Sequence, residues 1–145
     1  MLNEHRTSLA ETGARPVHPI FVPIAATFML GALVTDVLYI ETYLGMWETF
    51  SIWLLTAAMI MAGIGGIALL VDLVGRRSLF RPVWCRVLAC VVGALLSLIN
   101  AFIHSRDGWD AVVPSGVTIS AIVAVIVVYL AWNRWDLSAR RVATR

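Results

Sequence analysis

Charge is scarce in this sequence, and the signatures of catalysis are missing from it. Asp, Glu, Lys and Arg make up 14% of the 145 residues, and all eleven basic residues are arginine. There is no H-E-x-x-H, no glycine loop that could cradle a phosphate and no G-x-S-x-G, so an enzyme acting alone is not expected. The two cysteines, Cys85 and Cys90, are five apart and match neither C-x-x-C nor the haem-attachment signature C-x-x-C-H. They are expected to be reduced packing residues. The three histidines are His5 in a polar tail, His18 and His104. A bis-histidine b-haem needs two imidazoles at comparable depth on facing helices. His18 and His104 fall at opposite ends of their helices, which disfavours one haem within a monomer. No cofactor or metal is implied by motif.

What fills the chain instead is apolar. Hydrophobic residues make up 60% of it, and the mean hydropathy is +0.85, outside the range of an ordinary soluble globule. Four apolar windows, at about 19–43, 50–74, 84–104 and 112–133, each supply the ~20 residues that a helix needs to cross a ~30 Å hydrocarbon layer. The expected fold is therefore all-α: an integral membrane, antiparallel four-helix bundle in one domain over residues 16–135. Short polar tails at 1–15 and 136–145 flank it. The first window is too long for a secretory signal, lacks a tight basic n-region and precedes three further spans, so it is expected to be retained.

The arginines orient the bundle. Arg6 and Arg15 precede the first span, Arg76, Arg77, Arg81 and Arg86 surround the second loop, and Arg134, Arg140, Arg141 and Arg145 follow the fourth span. The remaining loops hold only Arg106. The positive-inside rule then places both termini and the middle loop in the cytoplasm. The aromatic residues agree, with Tyr39, Tyr43, Trp47 and Trp109 at the outer boundary and Trp84, Trp132 and Trp135 at the inner one. These arginines mark helix ends rather than a basic folded surface interleaved with aromatics, so nucleic acid is not an expected partner.

Membrane helices associate through close approach at small residues. Thr27-Gly31-Thr35, Ala58-Ala62-Gly66, Ala89-Gly93-Ser97-Ala101 and Gly116-Ser120-Ala124 offer one such strip on each span. At the start of the first span, His18 is placed to cap the helix with Pro19 at its first position, where a missing amide hydrogen costs nothing.

Asp36 is the residue most out of place. It lies six residues past the middle of its apolar run, about 9 Å from the bilayer centre at helical rise, where a carboxylate normally faces the bundle and finds partners. Asn100 and His104 share a face of span three at similar depth, and Thr56 and Thr118 lie near that level on spans two and four. A polar layer of Asp36, Thr56, Asn100, His104 and Thr118 is the sharpest constellation in the sequence. Two readings of it stand side by side: hydrogen bonds that clamp helices together, and a site for a proton, quinone or small solute. At the inner end, Asp72 lies four residues before Arg76, within reach of an interfacial pair, and His18 reaches a similar level.

The phrases HPIFVPIAATFMLGALVTDVLY, WLLTAAMIMAGIGGIALLVDLVGRR and INAFIHSRDGWDAVVPSGVTISA resemble a bacterial family of four-span membrane proteins known as domain of unknown function 2231. The likeness covers about residues 16 to 130. Its most specific parts are His18-Pro19 with Pro23 and Asp36, Asp72 near the end of span two, and the loop from His104 to Trp109. The resemblance implies an inner-membrane protein, and a redox context, because some relatives join this module to Rieske-type iron-sulfur domains or occur beside dehydrogenases. Where many relatives have a histidine and an asparagine near the start of span three, this chain reads WCRVLACVVG. The expectation is an accessory or anchoring subunit of a larger membrane assembly, respiratory or otherwise redox-active. It would contact lipid and either other integral subunits, a homo-oligomeric copy or a redox protein.

Overall fold

The computed structural model describes residues 18–75, 82–106, 112–135 and 137. Four helices account for nearly all of them: α1 (His18–Thr42), α2 (Gly45–Gly75), α3 (Trp84–His104) and α4 (Ser115–Trp132). All four are long and apolar enough to cross a membrane, and the protein is a helical membrane bundle. Arg76, residues 107–109 of the loop from His104 to Trp109, and both terminal tails apart from Leu137 lie outside the described residues.

The α2 helix begins at Gly45, five residues ahead of the apolar window at 50, because the turn before it contains only Tyr43 and Leu44. Tyr43 takes a left-handed conformation (φ 54°), and its amide bonds to the Tyr39 carbonyl at 2.8 Å, closing α1. At 31 residues α2 is about 46 Å long, so it overreaches the ~30 Å hydrocarbon layer. Antiparallel pairing across so short a turn fixes the register. Residues equidistant from it meet, and the buried residues of the two helices follow that rule: Ala32 with Leu55, Met29 with Ala58.

In cross-section the helices form a ring in which α1 packs on α2 and α4, and α3 packs on α4 and, least closely, on α2. Both faces of α1, α2 and α4 are apolar, so the buried face is selected by residue size and by a few polar groups rather than by amphipathicity. On α1 it runs through Ala25, Met29, Ala32, Asp36 and Tyr39. On α3 it runs through Gly93, Ser97, Asn100 and His104, and on α4 through Gly116, Ser120, Val123, Val127 and Leu130. These alternating steps of three and four are the coiled-coil seam. Ala26, Met29, Ala58, Val123 and Val127 meet at the centre.

The small-residue strips hold in part, since Thr35, Ala58, Gly93, Ser97, Gly116 and Ser120 are buried, and they need correction on α1 and α2. On α1 the seam lies beside the Thr27-Gly31-Thr35 strip, and Thr27 is exposed, its hydroxyl donating to the Pro23 carbonyl of its own helix. Gly31 does admit a neighbour, since a Cβ there would sit 3.3 Å from Leu54. On α2 the close approach is at Gly65, where a Cβ would sit 3.3 Å from Phe21, while a Cβ on Gly66 would meet open space. Large aliphatic and aromatic side chains such as Ile67, Val74, Phe102, Val125 and Trp132 face outward, as lipid contact requires.

Candidate functional site

Asp36 is fully buried near the end of the bundle that holds the Tyr43-Leu44 turn, and its carboxylate reaches the other three helices. The Ser51 hydroxyl of α2 donates to Oδ1 at 2.6 Å. Nε2 of His104, on α3, lies 2.8 Å from the same oxygen. The Ser120 hydroxyl of α4 donates to Oδ2 at 2.6 Å. Asn100 extends the group by donating from Nδ2 to Ser120 Oγ at 2.7 Å. One side chain on α1 is therefore bonded to a side chain on every other helix.

Position in the chain explains each contact. Asp36 and Ser51 are equidistant from the two-residue turn, so the hairpin brings them level. Asn100 and His104 are one helical turn apart on the buried face of α3. Ser120 follows Gly116 by one turn on the buried face of α4.

The hydrogen-bond roles follow from the chemistry of the groups. Nδ1 of His104 lies 3.0 Å from the Asn100 carbonyl oxygen, which can only accept, so Nδ1 carries a hydrogen. Nε2 and Asp36 Oδ1 then share one proton, as an imidazolium with a carboxylate or an imidazole with a carboxylic acid. Either arrangement leaves the pair without net charge, which is how an Asp is accommodated in hydrocarbon surroundings. Two buried polar atoms beside the group have no hydrogen-bond partner among the described residues: Ser97 Oγ and Asn100 Oδ1.

Of the five residues expected in this layer, the structure brings together Asp36, Asn100 and His104. Thr56 and Thr118 do not join them. Both are exposed, and each hydroxyl donates to the carbonyl four residues earlier in its own helix, Ile52 and Pro114 respectively, which satisfies it without any partner helix. Ser51 and Ser120 stand in their place. The signal for Ser120 was present, since it belongs to the small-residue strip of α4. The signal for Ser51 was its distance from a two-residue turn.

A second polar contact lies at the other end of the bundle. Asp72, fully buried in the last turn of α2, accepts from the backbone amide of His18 at 3.2 Å and lies 2.9 Å from His18 Nδ1. The helix of α1 begins at His18 itself, so the Asp72 carboxylate supplies the cap that the sequence assigned to His18. An acid near the negative end of one helix is unfavourable, and the positive end of the adjacent helix offsets it. The expected Asp72 to Arg76 pair falls outside the described residues.

Between the two polar groups lies an apolar cleft of about 300 Å³. Ala26 and Met29 of α1, Ala62 and Gly66 of α2 and Gly93 and Ala94 of α3 are among its lining residues. None of Asp36, Ser51, Asn100, His104 and Ser120 lines it. Those side chains bond to one another rather than to an opening. Among the described residues no three His, Cys, Asp or Glu side chains converge to hold a metal ion.

Comparison with known proteins finds a family. The family described as "Predicted membrane protein (DUF2231)" matches residues 14–144. No curated protein and no solved structure matches the chain.

Proposed function

The chain belongs to the DUF2231 family of predicted membrane proteins, and on that premise we propose that it is a non-catalytic accessory or anchoring subunit of a larger membrane assembly. The observation that carries this reading is the use made of Asp36. The carboxylate best placed to do chemistry within the bilayer is bonded to three side chains on three helices, a role in holding the bundle together. A site for a proton, quinone or small solute at Asp36, Asn100 and His104 would need a polar cavity, and these groups face each other.

The outward faces of the helices are the surface such a subunit offers to lipid and to neighbouring transmembrane helices. A respiratory or otherwise redox-active assembly is the partner class suggested by the sequence resemblance. We place the protein in the bacterial inner membrane as a multi-pass protein with both termini and the arginine-rich middle loop in the cytoplasm, from the distribution of arginine.

Native mass spectrometry after mild extraction from the original membrane tests the subunit reading, because it reports partners and stoichiometry together. Co-purification with other integral subunits at fixed stoichiometry is the expected result. A free monomer with no partner refutes it.

A further inference from the structure

We propose that the cleft beside α2 and α3 is a binding site for one acyl chain of an anionic phospholipid, drawn from the leaflet on the side of the α2–α3 loop. Four observations lead there. First, α2 and α3 are the neighbouring helices that pack least closely, and the cleft is lined along both. Second, its lining is apolar, with the Cys90 thiol its most polar side chain. At about 300 Å³ it is twice the ~150 Å³ of an engineered apolar cavity that takes up benzene. An unfilled space of this size forfeits the dispersion contacts of its walls, and in a bilayer the molecules at hand to fill it are acyl chains.

Third, the dimensions match a leaflet. On α3 the lining runs from Val87 to Leu98, which at helical rise is about 16 Å, close to half of the ~30 Å hydrocarbon layer. On α2 it runs from Met59 to Leu69, so it starts in the first turn of α3 and about 9 Å short of the loop end of α2, and on α2 it stops near the middle of the helix. Fourth, that end is basic. Arg86 directly precedes the cleft-lining Val87, and the sequence joining α2 to α3 carries Arg76, Arg77 and Arg81. Basic positions between transmembrane helices at a membrane surface attract anionic headgroups. The site is the cleft with Arg86.

The test reconstitutes the full chain in nanodiscs of mixed phosphatidylglycerol and phosphatidylcholine and counts retained lipids by native mass spectrometry. The wild type is expected to keep one phosphatidylglycerol in preference to phosphatidylcholine. Gly66→Leu and Ala94→Phe, which fill the cleft from opposite helices, are expected to lose it, whereas Ile67→Phe on the exposed face keeps it. Arg86→Gln should reduce the preference for the anionic lipid about five-fold. A second measurement needs no cleft variant. In detergent, added phosphatidylglycerol should slow maleimide labelling of Cys90, which lines the cleft, and leave exposed Cys85 unchanged. Equal retention by wild type and both filled variants, equal retention of the two lipids, or a second copy of the chain found in place of the lipid would each overturn the proposal.

Discussion

Replacing Asp36 by leucine removes the single acceptor to which Ser51, His104 and Ser120 all point. Leucine keeps the branched heavy-atom skeleton but is bulkier, so some overpacking adds to the loss of three interhelical hydrogen bonds whose donors stay buried. Such bonds in membrane proteins are worth ~0.6 kcal/mol on average and ~1.7 at most, which gives a cost of about 2 to 5 kcal/mol for the three. Asparagine behaves differently. With its amide nitrogen toward His104 Nε2 and Ser51 Oγ, and its oxygen accepting from Ser120, it restores a neutral, fully bonded group. Asp36→Asn should therefore cost about 1 kcal/mol, the difference between charge-assisted and neutral hydrogen bonds. The assay is unfolding by SDS in mixed micelles, followed by far-UV circular dichroism. Equal destabilisation by the two variants, or a loss under about 1 kcal/mol for leucine, would refute the idea that this carboxylate clamps the bundle. Adding Ser51→Ala, Ser120→Ala, His104→Leu and Asn100→Leu to Asp36→Leu should recover much of the stability, because no donor of the network is then stranded.

Other expectations can be measured in the same assay. Ser120→Ala breaks the run from Asn100 through Ser120 to Asp36 and should cost about 1 to 2 kcal/mol, whereas Thr56→Ala and Thr118→Ala should each stay within about 0.5. Ser97→Ala removes a buried hydroxyl whose oxygen has no described partner, so it should be neutral or stabilising, and a clear loss would show a bond that this geometry does not contain. Gly65→Leu should destabilise, because a Cβ there already meets Phe21 at 3.3 Å, while Gly66→Leu should be tolerated. Asp72→Ala should cost about 1 kcal/mol by uncapping α1, with Asp72→Asn recovering part of it.

How much of this could be read from the sequence depended on whether depth or face was the deciding quantity. Depth is linear in residue number along a helix, so the level of Asp36, Asn100 and His104 could be reckoned from the apolar windows alone. Face turns 100° per residue, and in a helix apolar all round no polarity pattern reports it. Thr56 and Thr118 have about the right depth and the wrong face. Ser51 was obscured for another reason. Hydropathy begins the second span at residue 50, which leaves Ser51 at its mouth, whereas α2 begins at Gly45 and places Ser51 in its second turn. The missing quantity was the length of the turn, set by Tyr43 adopting a left-handed conformation that aromatic residues rarely take. On α3 the strip of small residues pointed toward Ala101, and the observed seam steps to Asn100 and His104 instead. Two hydrogen-bonding side chains outweigh one more small contact where water is absent.

The two polar groups differ in reach, and the difference is mechanical. Near the Tyr43-Leu44 turn one carboxylate fastens all four helices. At the opposite end His18 and Asp72 join α1 to α2, and the Val83 amide, bonded to the Leu137 carbonyl at 2.8 Å, joins the start of α3 to the chain beyond α4. One end is thus held by a single network shared by all four helices, and the other by separate contacts that each join only two parts of the chain.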